Sequence, residues 1–138
     1  MNTDQLLKSM TLEEKIGQLQ LVSVTEGNLA EVIERIKNDR VGACIVADCA
    51  TAGNVEDGGI NKKMIEQVKK AANESRLKIP LLIGRDIIHG AKTIFPIPLA
   101  QAATWDRELI REAAARMSRE ANSKGINWTY APMLDLVR

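Results

Sequence analysis

Val41-Gly-Ala-Cys-Ile-Val-Ala47 is a short, unbroken apolar run, and its reading decides the fold. A strand with one wet face alternates apolar with polar residues. A run without a polar member suits a strand buried on both faces, the habit of parallel sheets. Pro80-Leu-Leu-Ile-Gly84 repeats the pattern. Between the two lies a helical stretch that Asn61 can cap, with Met64, Ile65, Val68 and Ala72 spaced for one face. It ends before Lys78-Ile-Pro80, because the residue preceding a proline is pushed out of helical geometry. Residues 48–60, closing on Glu56-Asp-Gly-Gly59, read as a loop.

The same logic extends both ways. Thr11-Leu-Glu-Glu14 is a capping box that opens a short helix through about Gln18, with Leu12, Ile16 and Leu19 on one side. Leu19 to Val24 reads as a strand in which Leu19, Leu21 and Ser23 share a face. Asn28 is placed to cap the next helix, whose stripe is Leu29, Val32, Ile33 and Ile36, ending near Arg40. Toward the C-terminus, residues 85–103 read as irregular. Asp106 then caps a long helix through about Ser123, carrying Leu109, Ile110, Ala113, Ala114 and Met117. Gly125 suits a left-handed C-cap, and Ile126 to Ala131 form a fourth strand stopped by Pro132. Strands alternating with helices predict an α/β fold with a parallel sheet. A doubly wound sheet and a barrel both satisfy that alternation.

Composition bounds the function. The chain has 138 residues, 45% of them hydrophobic, enough for one core. A formal charge of +1 removes the electrostatic case for nucleic acid or an anionic membrane as partner. No apolar run reaches the ~20 residues of a membrane helix. Met1 to Met10 lacks an apolar signal-like core, which favours the cytoplasm. Cys44, Cys49 and His89 are too few and wrongly spaced for the roughly four ligands of a structural zinc site, so the cysteines read as free thiols.

In parallel α/β sheets, function collects beyond the carboxyl ends of strands. Asp48, Asp86 and Pro132 to Asp135 all follow such ends. Neither G-x-G-x-x-G nor G-x-x-x-x-G-K-[ST] occurs in a phosphate-binding position, and no strand ends in a serine elbow. His89 could pair with Asp86, although one histidine near one acid is more often structural than catalytic. Asp86 itself admits two readings on its residues alone. It is a carboxylate that works on a sugar, accepting from its hydroxyls or acting as nucleophile or acid across a glycosidic bond, or it caps the turn before Ile87.

Ile79-Pro-Leu-Leu-Ile-Gly-Arg-Asp-Ile-Ile-His-Gly90 resembles the N-terminal domain of family-3 glycoside hydrolases, the β-glucosidase type. Thr93-Ile-Phe-Pro-Ile-Pro-Leu99, Ala102-Ala-Thr-Trp-Asp106 and Glu120 to Pro132, with Gly125-Ile-Asn-Trp-Thr-Tyr-Ala-Pro132, continue the resemblance in order, as does Asp135 to Arg138. Upstream, Met10 to Gln18 is similar to the family's opening helix. The resemblance implies a (β/α)8 TIM-type barrel that removes terminal β-linked sugars by a retaining, two-step mechanism, without metal or organic cofactor. Asp86 is then the substrate-binding carboxylate, with His89 and Gly90 supporting its loop. Lys92 stands where the family often has arginine. Arg138 matches the first arginine of a stretch whose last arginine helps hold the sugar. In the family's order, that last arginine, the Lys-His pair, the nucleophilic aspartate and the acid/base glutamate all follow, so no catalytic residue is assigned here.

A barrel needs eight strands and ~250 residues. The expected fold is therefore a partial (β/α)8 barrel, with about four parallel strands and outer helices. Residues 1–138 are read as the incomplete N-terminal part of the barrel domain, inactive alone. Its partners would be a small saccharide or β-glucoside in the complete enzyme, and either the missing barrel half or a second copy across exposed edges. Two other readings are a non-catalytic half-barrel scaffold and a small sugar-binding α/β module with a doubly wound sheet.

Overall fold

A computed structural model describes residues 2–46 and 61–134. The expectations for Asp48, Cys49, the 48–60 loop, Asp135 and Arg138 lie outside these residues. The first helix, α1 (Thr3–Ser9), was not legible in the sequence, because it buries nothing and so has no apolar periodicity. Asn2 and Gln5 hold its start by exchanging side-chain-to-backbone bonds of 2.9 and 3.1 Å.

Helix α2 (Leu12–Gln18) opens on the expected box: the Thr11 hydroxyl accepts from the Glu14 amide at 3.2 Å, and the Glu14 carboxylate accepts from the Thr11 amide at 2.8 Å. Its apolar stripe is a correction. Leu12, Ile16 and Leu19 are exposed, and the helix buries Glu14 and Gly17 instead. Gly17 lies directly on the backbone of Asp39 and Arg40, and the Gln18 backbone lies on Gly42. Glu14 receives the guanidinium of Arg76, whose Nε donates at 2.8 Å. Leu19 is the helix C-cap, so β1 (Leu21–Val24) starts two residues later than Leu19.

The Arg76 bond, followed by the Thr11 amide, holds the Glu14 carboxyl below its ordinary value of 4.5. A carboxylate with a lowered folded pKa adds stability above its unfolded pKa and loses it as pH falls through the folded one. Glu14→Gln is accordingly expected to lower the thermal midpoint at neutral pH, with the gap to the parent closing below about pH 4. A gap independent of pH, read by circular dichroism, would remove the pair from the stability of α2.

Helix α3 (Leu29–Lys37) buries Val32 and Ile36, with Leu29 and Ile33 against the same core. Asn28 stands at its N-cap position but does not cap it. The Asn28 Oδ1 accepts from the Thr25 amide at 2.8 Å, and Nδ2 donates to the Ser23 carbonyl at 3.0 Å, which braces the turn out of β1. Strand β2 (Ala43–Val46) follows. Helix α4 (Lys62–Glu74) is capped by Asn61 Oδ1, accepting from the Met64 amide at 3.0 Å, and buries Met64, Ile65, Val68, Ala71 and Ala72. Strand β3 (Leu82–Arg85) is displaced toward the C-terminus from the expected 80–84.

The stretch read as irregular contains a short helix, α5 (Pro98–Ala102), with proline in its first turn, where a missing N–H costs nothing. Helix α6 (Arg107–Ser123) is capped by Asp106 Oδ1 on the Leu109 amide at 3.0 Å. It buries only Met117 and Ala121, whereas Leu109 is exposed. Gly125 takes φ +96° in the left-handed cap, and β4 (Trp128–Thr129) is shorter than the predicted strand.

Strand order separates the two architectures. The sheet runs β1-β2-β3-β4, every pair parallel and every sequence neighbour a spatial neighbour. A doubly wound sheet reverses direction at a switch point; this one does not. Val24, Cys44, Val46 and Ile83 point to one face and share one core with α3, α4 and the C-terminal end of α6. The other face carries Leu21, Leu82 and Trp128 at 44%, 47% and 36% exposure. Helices on one side of a sheet that winds in one direction make a partial (β/α)8-type barrel, unclosed, with its interior face uncovered.

Candidate functional site

The C-terminal end of β3 leads straight into Asp86. Register fixes the strand ends: Gly84 is opposite Trp128 and Arg85 opposite Thr129, and Asp86 and Tyr130 come next after each strand. By strand alternation Leu82, Gly84 and Trp128 share the uncovered face, and the Tyr130 hydroxyl lies against Gly84 on it. Asp86 is exposed. Its Oδ1 accepts from the Ile88 amide at 3.0 Å, so the turn-capping reading describes one of its oxygens. Among the described residues Oδ2 has no protein partner. The two readings left open by the sequence are therefore compatible, one for each oxygen.

His89 does not pair with Asp86. It is half-buried, and its carbonyl accepts from the Phe95 amide at 2.7 Å. Gly90 turns the chain at φ +115°, where a Cβ would run into the Thr93 carbonyl. The loop is then fastened to α6, since the Thr93 amide donates to both carboxylate oxygens of Glu120 at 3.2 and 3.1 Å. The tie from Glu120 to Thr93 was not legible in the sequence, because nothing local links the two. Sequence reading also missed Tyr130, whose hydroxyl rests on Gly84 and whose ring meets Trp128 edge-on at a centroid distance of 5.2 Å. The available signal was the alternation from Trp128 to Tyr130, set against a strand position with no side chain. Burial first, and the Asp86 charge second, push the Tyr130 phenol above its ordinary value of 10.0.

Cys44 lies in the core, where burial raises its thiol pKa to about 12, so at neutral pH it packs as a small hydrophobe and not as a thiolate. Among the described residues no three of His, Cys, Asp and Glu come together in a metal-binding group.

The profile described as the glycosyl hydrolase family 3 N terminal domain matches residues 11–138, nearly the whole chain. The chain belongs to glycosyl hydrolase family 3. The family-3 chain is 40% identical over 134 residues to a periplasmic beta-glucosidase of Salmonella typhimurium, covering 96% of this chain and 16% of that protein. It is 29% identical to the lysosomal beta glucosidase of Dictyostelium discoideum, over 96% of this chain and 18% of that protein. A beta-xylosidase of Formosa agariphila is 31% identical across 56% of the chain and 12% of its own length. The chain thus spans about a sixth of the length of the curated relatives it matches. Among the described residues no helix is long and apolar enough to cross a membrane.

The uncovered face of Leu21, Leu82 and Trp128 is the side that a barrel turns inward.

Proposed function

We propose that this chain is the substrate-holding N-terminal part of a retaining, exo-acting β-glucosidase-like hydrolase, and that Asp86 accepts hydrogen bonds from hydroxyls of the terminal sugar. The observation that carries this reading is the position of Asp86. It is the first residue beyond β3, exposed at the C-terminal rim, with one carboxylate oxygen committed to its own turn and the other without a partner among the described residues. A carboxylate is an acceptor-only group, and a sugar presents hydroxyl donors to it. Hydrolysis needs a nucleophile and an acid/base pair at a defined separation. By the family's order both follow Arg138, so this segment binds without turning over.

Aryl β-D-glucosides incubated with these 138 residues are expected to give no release of the aryl alcohol, and clear hydrolysis would sink the assignment. In the protein completed with the rest of the barrel, Asp86→Asn is expected to raise KM and lower kcat together. The joint loss should be about 2 kcal/mol, the worth of hydrogen bonds to a charged group. Unchanged kinetics would take Asp86 out of the site. No cofactor is invoked for either step.

The uncovered apolar face and the outer edges of β1 and β4 favour pairing with the remaining barrel half or, failing that, self-association. Light scattering on the isolated chain is expected to find dimers or larger species that bind a hydrophobic dye. A monomer that binds none would count against an unfilled face.

A further inference from the structure

Among the described residues, the Tyr130 hydroxyl is the one buried side-chain polar atom with no hydrogen-bond partner. Leaving such a group unpaired costs free energy, and native structures hold few of them, so each calls for a role. The seat is specific. Gly84 leaves room for the hydroxyl, and a Cβ there would collide with it. Asp86 follows the end of β3 as Tyr130 follows the end of β4, near enough for its charge to bear on the phenol, with Oδ1 committed to the Ile88 amide and, among the described residues, no partner on Oδ2. Among the described residues, a donor without an acceptor and an acceptor without a donor thus stand just past the ends of two paired strands.

We propose that Tyr130 is a positioning residue for Asp86: when a sugar occupies the rim, the phenol O–H leaves its seat over Gly84 and donates to Oδ2. The inference rests on the reading of Asp86 as the sugar-binding carboxylate. A ligand that covers an ionised carboxylate removes its water, and the charge then needs protein donors. An O–H to carboxylate bond is among the stronger kinds available. The Tyr130 hydroxyl has no bond to surrender in making it. Tyr130 as a whole is half-buried, not enclosed in the core.

Tyr130 is the single tyrosine of the chain, so the tyrosine Raman doublet reports this hydroxyl alone. Methyl β-D-glucoside is titrated into the parent, Asp86→Asn and Tyr130→Phe, with tryptophan fluorescence following occupancy. The doublet is expected to move from the unbonded to the strong-donor pattern in the parent and to stay unbonded in Asp86→Asn. Tyr130→Phe keeps the ring on Gly84, so its thermal midpoint should not fall. Its glucoside affinity should drop roughly tenfold, one hydrogen bond to a charge. Suppose instead that glucoside quenches tryptophan, Asp86→Asn abolishes that response, and yet the doublet never moves and Tyr130→Phe binds like the parent. The role of Tyr130 is then overturned while the Asp86 reading stands. Absence of binding by both probes overturns the two together.

Discussion

Ile83→Ala is expected to reduce the free energy of unfolding by about 4 kcal/mol, near the upper part of the range for isoleucine truncations in cores. Ile83 is fully buried in the middle of β3, a strand bonded on both sides, and its register partner Cys44 is equally buried. The side chain enters the core shared with α3 and α4. The cavity it leaves is walled by two strands whose backbones are fixed by the ladder, so collapse recovers little of the loss. Small domains hold only about 5–15 kcal/mol in total, and an unclosed sheet falls toward the lower end. The urea midpoint is therefore expected to drop steeply. The neighbouring position supplies the comparison. Leu82 points to the uncovered face, so Leu82→Ala should cost under about 1 kcal/mol, as for a largely solvent-exposed side chain. Equal costs at the two sites would mean that the helices do not cover the face assigned to them. A reversed order would mean that β3 sits one residue out of register.

The contrast between Ile83 and Leu82 also marks what the sequence could carry. Pro80 to Gly84 is apolar throughout, so it announces a strand and a parallel sheet but not which residue faces the helices. That depends on the β2 and β3 register, set by residues far apart in the chain. Winding direction is hidden for the same reason: alternation of strands and helices is common to both architectures, and only the order β1-β2-β3-β4 distinguishes them. Caps were legible where one side chain meets one nearby amide, as at Thr11, Asn61 and Asp106. Asn28 failed because an equally local competitor, the amide of Thr25, took its oxygen. Asp86 could be singled out because it directly follows a strand. Tyr130 could not, since its bearing on Asp86 exists only once β3 and β4 are paired. The apolar stripe of helix α2 is the plainest miss. Periodicity identified Leu12, Ile16 and Leu19, but periodicity cannot say what a stripe will meet. Here α2 is held instead by a glycine and a glutamate.

That attachment makes the second large expectation, Gly17→Ala, opposite in sign to helix propensity. Alanine is the better helix former by roughly 1 kcal/mol, so an unattached α2 would be stabilised by the change. The structure demands the reverse. A Cβ on Gly17 would overlap the carbonyl oxygen of Asp39 and the Cα of Arg40, atoms of a backbone that cannot swing aside as a side-chain tip would. Asp39 is already fixed: it holds φ +57°, and its Oδ2 accepts from the Leu77 amide at 3.2 Å. Helix α2 must then lift away, which strains the Glu14–Arg76 pair and opens the contact of Gln18 with Gly42. The expected loss is about 3 kcal/mol, the upper end for overpacking a close-fitted site. Gly27→Ala is the matched comparison. Its Cβ would meet only the Thr25 hydroxyl at 3.9 Å, so it should be neutral or slightly stabilising through the unfolded chain. Chemical denaturation of the two variants therefore decides whether α2 is a seated part of the fold. If Gly17→Ala matches Gly27→Ala, the helix is an appendage, and its exposed leucines need no partner to explain them.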